Sequence, residues 1–180
     1  AHRRLGGGTP GDYGEVGLVR PASAVEVKVL GTFTDIVFSA SFSADGKRIV
    51  AGSAEGSVRV YEAGSGKRLW QNRVHSDWVT SVSFSSDGKF VASAGKDMTV
   101  KVYEAETGAL YTTYTGHNRQ IGQYRGSAPV YAVRFTPDSL LACSAGGGKW
   151  IQIWDPTQAK AEAGDAGDME ERFAKQGHAR

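Results

Sequence analysis

From residue 79 to residue 115 the apolar positions come in short alternating runs separated by turn residues. Val79, Val82 and Phe84 form one run, and Asp87-Gly88 breaks it. Phe90-Val91-Ala92-Ser93 forms a second, ended by Ala94-Gly95-Lys96-Asp97. Val100, Val102 and Tyr103 form a third, closed by Thr107-Gly108, and Leu110–Thr115 forms a fourth, leading to Gly116-His117. Residues two apart share one face of a strand, so alternation over such short lengths predicts strands. Asp and Gly supply the local hydrogen bonds and backbone freedom of tight turns. The pattern therefore predicts four short antiparallel strands in succession.

The unit recurs. SFSADGKRIVAGSAEGSVRVYEAGSG (Ser41–Gly66) is rewritten as SFSSDGKFVASAGKDMTVKVYEAETG (Ser83–Gly108), and a third copy ends in WIQIWDPTQAK (Trp150–Lys160). The aromatic marker falls at Tyr61, Tyr103 and Trp154, spaced 42 and then 51 residues apart, so the last interval carries nine extra residues. A four-stranded unit repeated every 40–45 residues predicts one propeller blade per repeat.

The FSxDGK turn, the Asp97-x-Thr99-Val-Lys-Val-Tyr103 strand, Gly116-His117 and Trp154-Asp155 resemble the WD40 repeat family over roughly residues 25–156. The resemblance implies an all-β fold of WD40-type β-propeller blades: about three four-stranded antiparallel blades, partial or completed by another chain. It implies blades at about 25–74, 75–116 and 117–156, after an N-terminal extension (1–24) expected to be mostly irregular. In that family a His, a Ser or Thr, an Asp and a Trp form a buried hydrogen-bonded tetrad within a blade. Carried over, the middle repeat supplies His75, Ser93 and Asp97, with Tyr103 in place of Trp. The third supplies His117, Ser144 and Trp154, with Gly148 where Asp would stand. The first supplies Ser53, Glu55 and Tyr61 and no matching His. Each network is expected to be incomplete.

Closed propellers of this family need more blades than this chain supplies, and a blade buries its faces only against neighbours. After Trp154 the segment Thr157–Gly167 is rich in Ala, Gly and charge instead of reading as a fourth strand. An open arc would leave apolar faces and unpaired edges uncovered. The expected partners are therefore other protein subunits, including one that completes the arc. In the C-terminal tail (157–180), Asp168-Met-Glu-Glu171 resembles a capping box, and Met169 and Phe173 share one face of a short helix expected over 169–176.

Composition adds mainly exclusions. The chain has 180 residues, 40% of them hydrophobic and 22% charged, with 21 basic against 19 acidic residues. That balance gives no general electrostatic case for nucleic acid or membrane. The single cysteine, Cys143, cannot form an intrachain disulfide and reads as a small buried thiol. No apolar run approaches bilayer length, and the arginine-bearing N-terminus lacks the apolar core of a secretory signal. The expectation is an intracellular protein. Without an initiator Met, the chain reads as processed or as a piece of something longer.

Candidate chemistry is sparse. Gly146-Gly147-Gly148-Lys149 fails as a phosphate loop, because the first Gly of that motif would be Cys143 and Trp150 replaces the metal-binding hydroxyl. The four histidines (His2, His75, His117 and His178) show no metal-ligand spacing. No nucleophile elbow surrounds Ser76, although His75 and Asp77 flank it. Neither a catalytic site, a metal nor a cofactor is expected.

Binding features are better supported. The extra residues of the last interval fall in NRQIGQYRGSAP (Asn118–Pro129), which carries Arg119, Tyr124 and Arg125. Arg and aromatic side chains anchor interfaces, and long loops on rigid scaffolds carry function. Trp78 and Trp150 are expected on the same rim as that loop. The function expected is a non-catalytic scaffold for protein–protein interaction within a larger assembly. The alternative is an RNA-contacting component of a ribonucleoprotein or ribosome-biogenesis complex, using Arg119, Tyr124, Arg125 and Arg134. A finer similarity of Thr32–Ala63 to a blade of WD-repeat proteins of the nucleolar small-subunit processome points the same way.

Overall fold

The computed structural model describes residues 15–19, 27–118, 128–148 and 151–161. Among them are thirteen strands in four antiparallel sheets. Blade one consists of β3 (Val37–Phe42), β4 (Arg48–Ser53), β5 (Ser57–Glu62) and β6 (Arg68–Arg73), hydrogen-bonded in that order. Blade two repeats the order with β7 (Val79–Phe84), β8 (Phe90–Gly95), β9 (Val100–Glu104) and β10 (Leu110–Tyr114). Blade three has β11 (Val130–Phe135), β12 (Ala142–Gly146) and β13 (Ile151–Trp154), with no fourth strand among the described residues. Two further strands, β1 (Glu15–Val19) and β2 (Val27–Thr32), pair with each other and precede blade one.

The repeat is structural down to its irregularities. The first pair of every blade slips register at the same point, between Val37 and Ser39, Val79 and Ser81, and Val130 and Ala132. The turn between the first two strands is also copied. Ser85 Oγ donates to Asp87 Oδ1 at 2.6 Å, and the same carboxylate accepts the Lys89 amide at 3.0 Å. Ser43 with Asp45 and Thr136 with Asp138 repeat that arrangement. The turn needs a left-handed residue, supplied by Gly46 and Gly88 (φ 69° and 71°) and, in the third copy, by Ser139 at φ 64°.

The core lies between blades. Val50, Val58 and Val60, on the trailing face of blade one, pack against Val79, Val82, Phe84, Val91 and Tyr103, on the leading face of blade two. Ala92, Ala94, Val100 and Val102 do the same for Val130, Val133, Ala142 and Trp154 of blade three. β3, β7 and β11 run side by side as the inner strands, and Ser39 Oγ accepts the Val82 amide across the gap at 3.1 Å. The leading face of blade one is half covered: Leu30 on β2 and Phe33 just after it pack on Ile49, Ala51, Tyr61 and Ala63.

Three features add to the sequence reading. β1 is a short strand within the N-terminal extension, and Val27–Thr32 pairs with it in a separate two-stranded sheet ahead of blade one's four strands. A six-residue helix, α1 (Pro156–Ala161), follows blade three; Asp155 Oδ1 caps it by accepting the Thr157 amide at 2.7 Å, and Pro156 begins it. α1 lies against β10, with Ala159 packed on the blade two–blade three core. The expected helix at 169–176 lies outside the described residues.

Candidate functional site: three buried networks and a rim cleft

The strand-one entry of blade two holds a continuous polar chain. His75 Nδ1 is 2.9 Å from Asp97 Oδ2, His75 Nε2 is 2.7 Å from Ser93 Oγ, and Ser93 Oγ is 3.3 Å from Tyr103 Oη. A carboxylate only accepts, so Nδ1 carries an imidazole proton, and the Ser93 hydroxyl donates to Tyr103 Oη. Asp97 also accepts from the Ser76 amide at 3.1 Å and the Thr99 hydroxyl at 2.8 Å. Burial raises its pKa, but the bonds from His75 and Thr99 outweigh this and hold it at about 2. Gly95 is required here, because a Cβ would overlap both His75 Nδ1 and Asp97 Oδ1.

Blade one builds a different network. The 42-residue offset puts Phe33 where His75 stands and Ala51, not Ser53, where Ser93 stands. The register agrees: Ala51 pairs with Ala40 as Ser93 pairs with Val82. Ser53 instead lies 3.1 Å from Ser57 Oγ, and the Tyr61 hydroxyl is buried with no hydrogen-bond partner among the described residues. Arg59 replaces the imidazole. Its guanidinium stacks 3.8 Å over the Phe33 ring, pairs with Glu55 at 2.6 Å and donates to Thr32 O at 2.7 Å. Burial pushes the Glu55 carboxyl up, but hydrogen bonds from Ser57, Thr34 and Arg59 prevail and set it at about 2. Sequence reading missed this substitution, although aligning Phe33 with His75 would have exposed it.

Blade three holds half a network. His117 Nε2 lies 2.8 Å from Ser144 Oγ, and Trp154 Nε1 donates to the same oxygen at 3.1 Å. With Gly148 at the Asp97 position, His117 Nδ1 is buried with no partner among the described residues. Burial lowers the His117 pKa and keeps the ring neutral.

A cleft of about 560 Å³ lies on the rim where blades one and two meet, bordered by Glu55 of the first network and His75 of the second. Thr34, Asp35, Glu55, Arg73, Asp77 and Trp78 line it. The rim is built where strand-one entries meet the turns between second and third strands: the Ala54 amide bonds Ile36 O, and the Lys96 amide bonds Trp78 O, both at 2.8 Å. Trp78 stacks on Phe38 with centroids 5.1 Å apart, and Lys96 Nζ sits 4.3 Å over the indole. Both rings are about 40% exposed (Phe38 40%, Trp78 41%). Phe38 was not among the residues the sequence singled out.

Of the other expected contact residues, Arg119, Tyr124, Arg125, Trp150, Met169 and Phe173 lie outside the described residues. Arg134 is engaged within the arc, its Nη1 donating to Val133 O at 2.7 Å and to Ser81 Oγ at 3.2 Å. Cys143 is half-buried on the trailing face of blade three, not enclosed. Among the described residues no three His, Cys, Asp or Glu side chains are placed to hold a metal ion, and no helix is long and apolar enough to cross a membrane.

Repeated four-stranded blades stacked face to face, with polar networks at their strand-one entries, define the class as a β-propeller of the repeat type. The chain belongs to the WD40 family: the profile of the WD domain, G-beta repeat, matches residues 25–62, 66–104 and 108–155. None of the curated proteins matches it. Among solved structures it is similar to the RRP9 WD40 repeats, with a TM-score of 0.60 and 20% identity over 68% of this chain. That similarity covers 36% of the other chain, so this chain spans about a third of its length. WD40 repeat domains are generally protein-interaction scaffolds.

Proposed function

We propose that the chain is a non-catalytic scaffold of a multisubunit assembly, binding partner proteins through its rim and having its arc completed by another protein chain. The observation that carries this reading is the half-exposed Phe38–Trp78 stack at the mouth of the cleft between blades one and two. Two rings held by adjacent rigid blades offer apolar area at little entropic cost, which suits an anchor. Asp35, Asp77, Arg73 and Lys96 surround them with polar groups of both signs, as in the rim of a protein interface. Trp150, the Arg119–Tyr124–Arg125 loop and the Met169/Phe173 pair are further contacts on this reading.

The test compares neighbours retained by tagged chains in the native assembly. Trp78→Ala with Phe38→Ala should weaken retention of at least one subunit by about 2 kcal/mol, the scale of an interface anchor, with an unchanged melting temperature. Full retention by the double variant would overturn the reading. Retention that instead collapses with rising salt, and with Arg119→Ala and Arg125→Ala, would favour the RNA-contacting alternative.

A further inference from the structure

The two ends of the arc are unfinished in complementary ways. At the trailing end, Ile151 and Ile153 occupy the positions of Val100 and Val102 one blade earlier. The valines are fully buried under blade three, whereas Ile151 is 70% and Ile153 39% exposed. β13 also has one open edge among the described residues, where blades one and two carry β6 and β10. At the leading end, Phe42 stands where Phe84 stands in blade two. Phe84 is 7% exposed beneath blade one, with the Arg48 guanidinium over its ring, and Phe42 is 50% exposed. On the same face lies β2, which among the described residues pairs in a sheet only with β1.

β2 sits where a preceding blade's fourth strand would sit. Lys28 reaches across to Gly64 O at 2.7 Å, as Asn72 of β6 reaches Gly108 O at 2.5 Å. Leu30 and Phe33 cover the outer half of blade one's leading face and leave Ala40 and Phe42 bare. Among the described residues, what the leading end lacks is a blade's inner strands, and what blade three lacks is a fourth strand.

We infer that a second copy of this chain completes the arc, the three-stranded blade of one copy docking on the leading face of the next and taking its β2 as fourth strand. The occupant is a second copy because the interface already occurs twice in the molecule, with apolar residues at the equivalent strand positions on both sides. Ile151 and Ile153 repeat Val58 and Val60, Phe42 repeats Phe84, and Leu141 puts an apolar side chain where Arg48 stands. In this exchange β13 replaces β1 along β2, gaining a ladder for the one lost and burying both bare faces. The contact is heterologous, head to tail. It deepens the proposal that another chain completes the arc by naming that chain.

Sedimentation equilibrium of the full chain tests this. The weight-average mass should rise at least twofold with concentration. Phe42→Asp and Ile153→Asp each remove one of the two faces and should each hold the mass at one copy, with unchanged circular dichroism because both side chains are exposed in the monomer. Mixed one to one, the two variants retain one intact pair of faces and should form a dimer and no larger species. Leu18→Pro, which weakens the ladder β1 forms with β2, should tighten association tenfold or more. Wild-type chain that stays monomeric at all concentrations, variants that fail to form a dimer on mixing, or unchanged or weaker association of Leu18→Pro would each overturn the inference. The rim reading is decided separately, by retention of the Trp78 and Phe38 variants in the native assembly.

Discussion

His75 and His117 enter their blades at the same place, yet only His75 has a carboxylate for its second ring nitrogen. Asp97→Ala leaves the buried His75 ring without that acceptor and should cost about 2–3 kcal/mol in urea unfolding, the usual penalty for orphaning a buried polar group. Gly148→Asp does the converse in blade three and should add about 1 kcal/mol. The pH dependence has a defined sign. His117 is held neutral below its ordinary value of 6.5, so the unfolded chain binds the extra proton and stability falls as pH drops through about 6.5. Gly148→Asp should remove that loss. Asp97 and Glu55 are held near 2 against ordinary values of 3.8 and 4.5. Their contribution is present above those ordinary values and is lost as pH falls toward 2, read by melting temperature across a pH series. The tyrosines separate the same way: Tyr103→Phe should cost about 1 kcal/mol, while Tyr61→Phe, whose hydroxyl has no partner, should cost nothing measurable.

The strands were legible because alternation and Asp-Gly turns specify them locally, and the turns show why the copies tolerate drift. Where Gly56 turns with φ 79°, the second copy uses Met98 at φ 68°, a strained conformation for a side chain that is not glycine. Met98→Gly should therefore raise stability by about 0.5–1 kcal/mol in thermal or chemical denaturation. β1 was not legible, since EVGLV stands apart from the period and its pairing with β2 is non-local. α1 was missed although its start carries a readable signal: Asp155 as cap followed by Pro156. The Ser53 assignment failed because Ala51 and Ser53 share a strand face, so alternation alone cannot choose between them.

At the scale of the molecule, burial depends on place in the arc more than on residue type. Val102 and Ile153 are equivalent in the repeat, but Val102 is enclosed and Ile153 is not. Val102→Lys should unfold the chain, whereas Ile151→Lys, measured at a concentration where the chain is monomeric, should leave the melting temperature within about 2 °C, the change expected of a surface substitution worth under 0.5 kcal/mol. The candidate rim was half legible: Trp78 stood out as a large residue ahead of a strand, but Phe38 acquires its meaning only when the adjoining blade brings the two rings together. Successive blades meet through the same pair of faces. The chain is thus modular along its length in the way a string of identical couplings is. A duplicate of residues 75–116 spliced in after residue 116 would meet no surface it does not already know, so the arc should grow by one blade, and new members of such a chain need arise from nothing more than copying this segment.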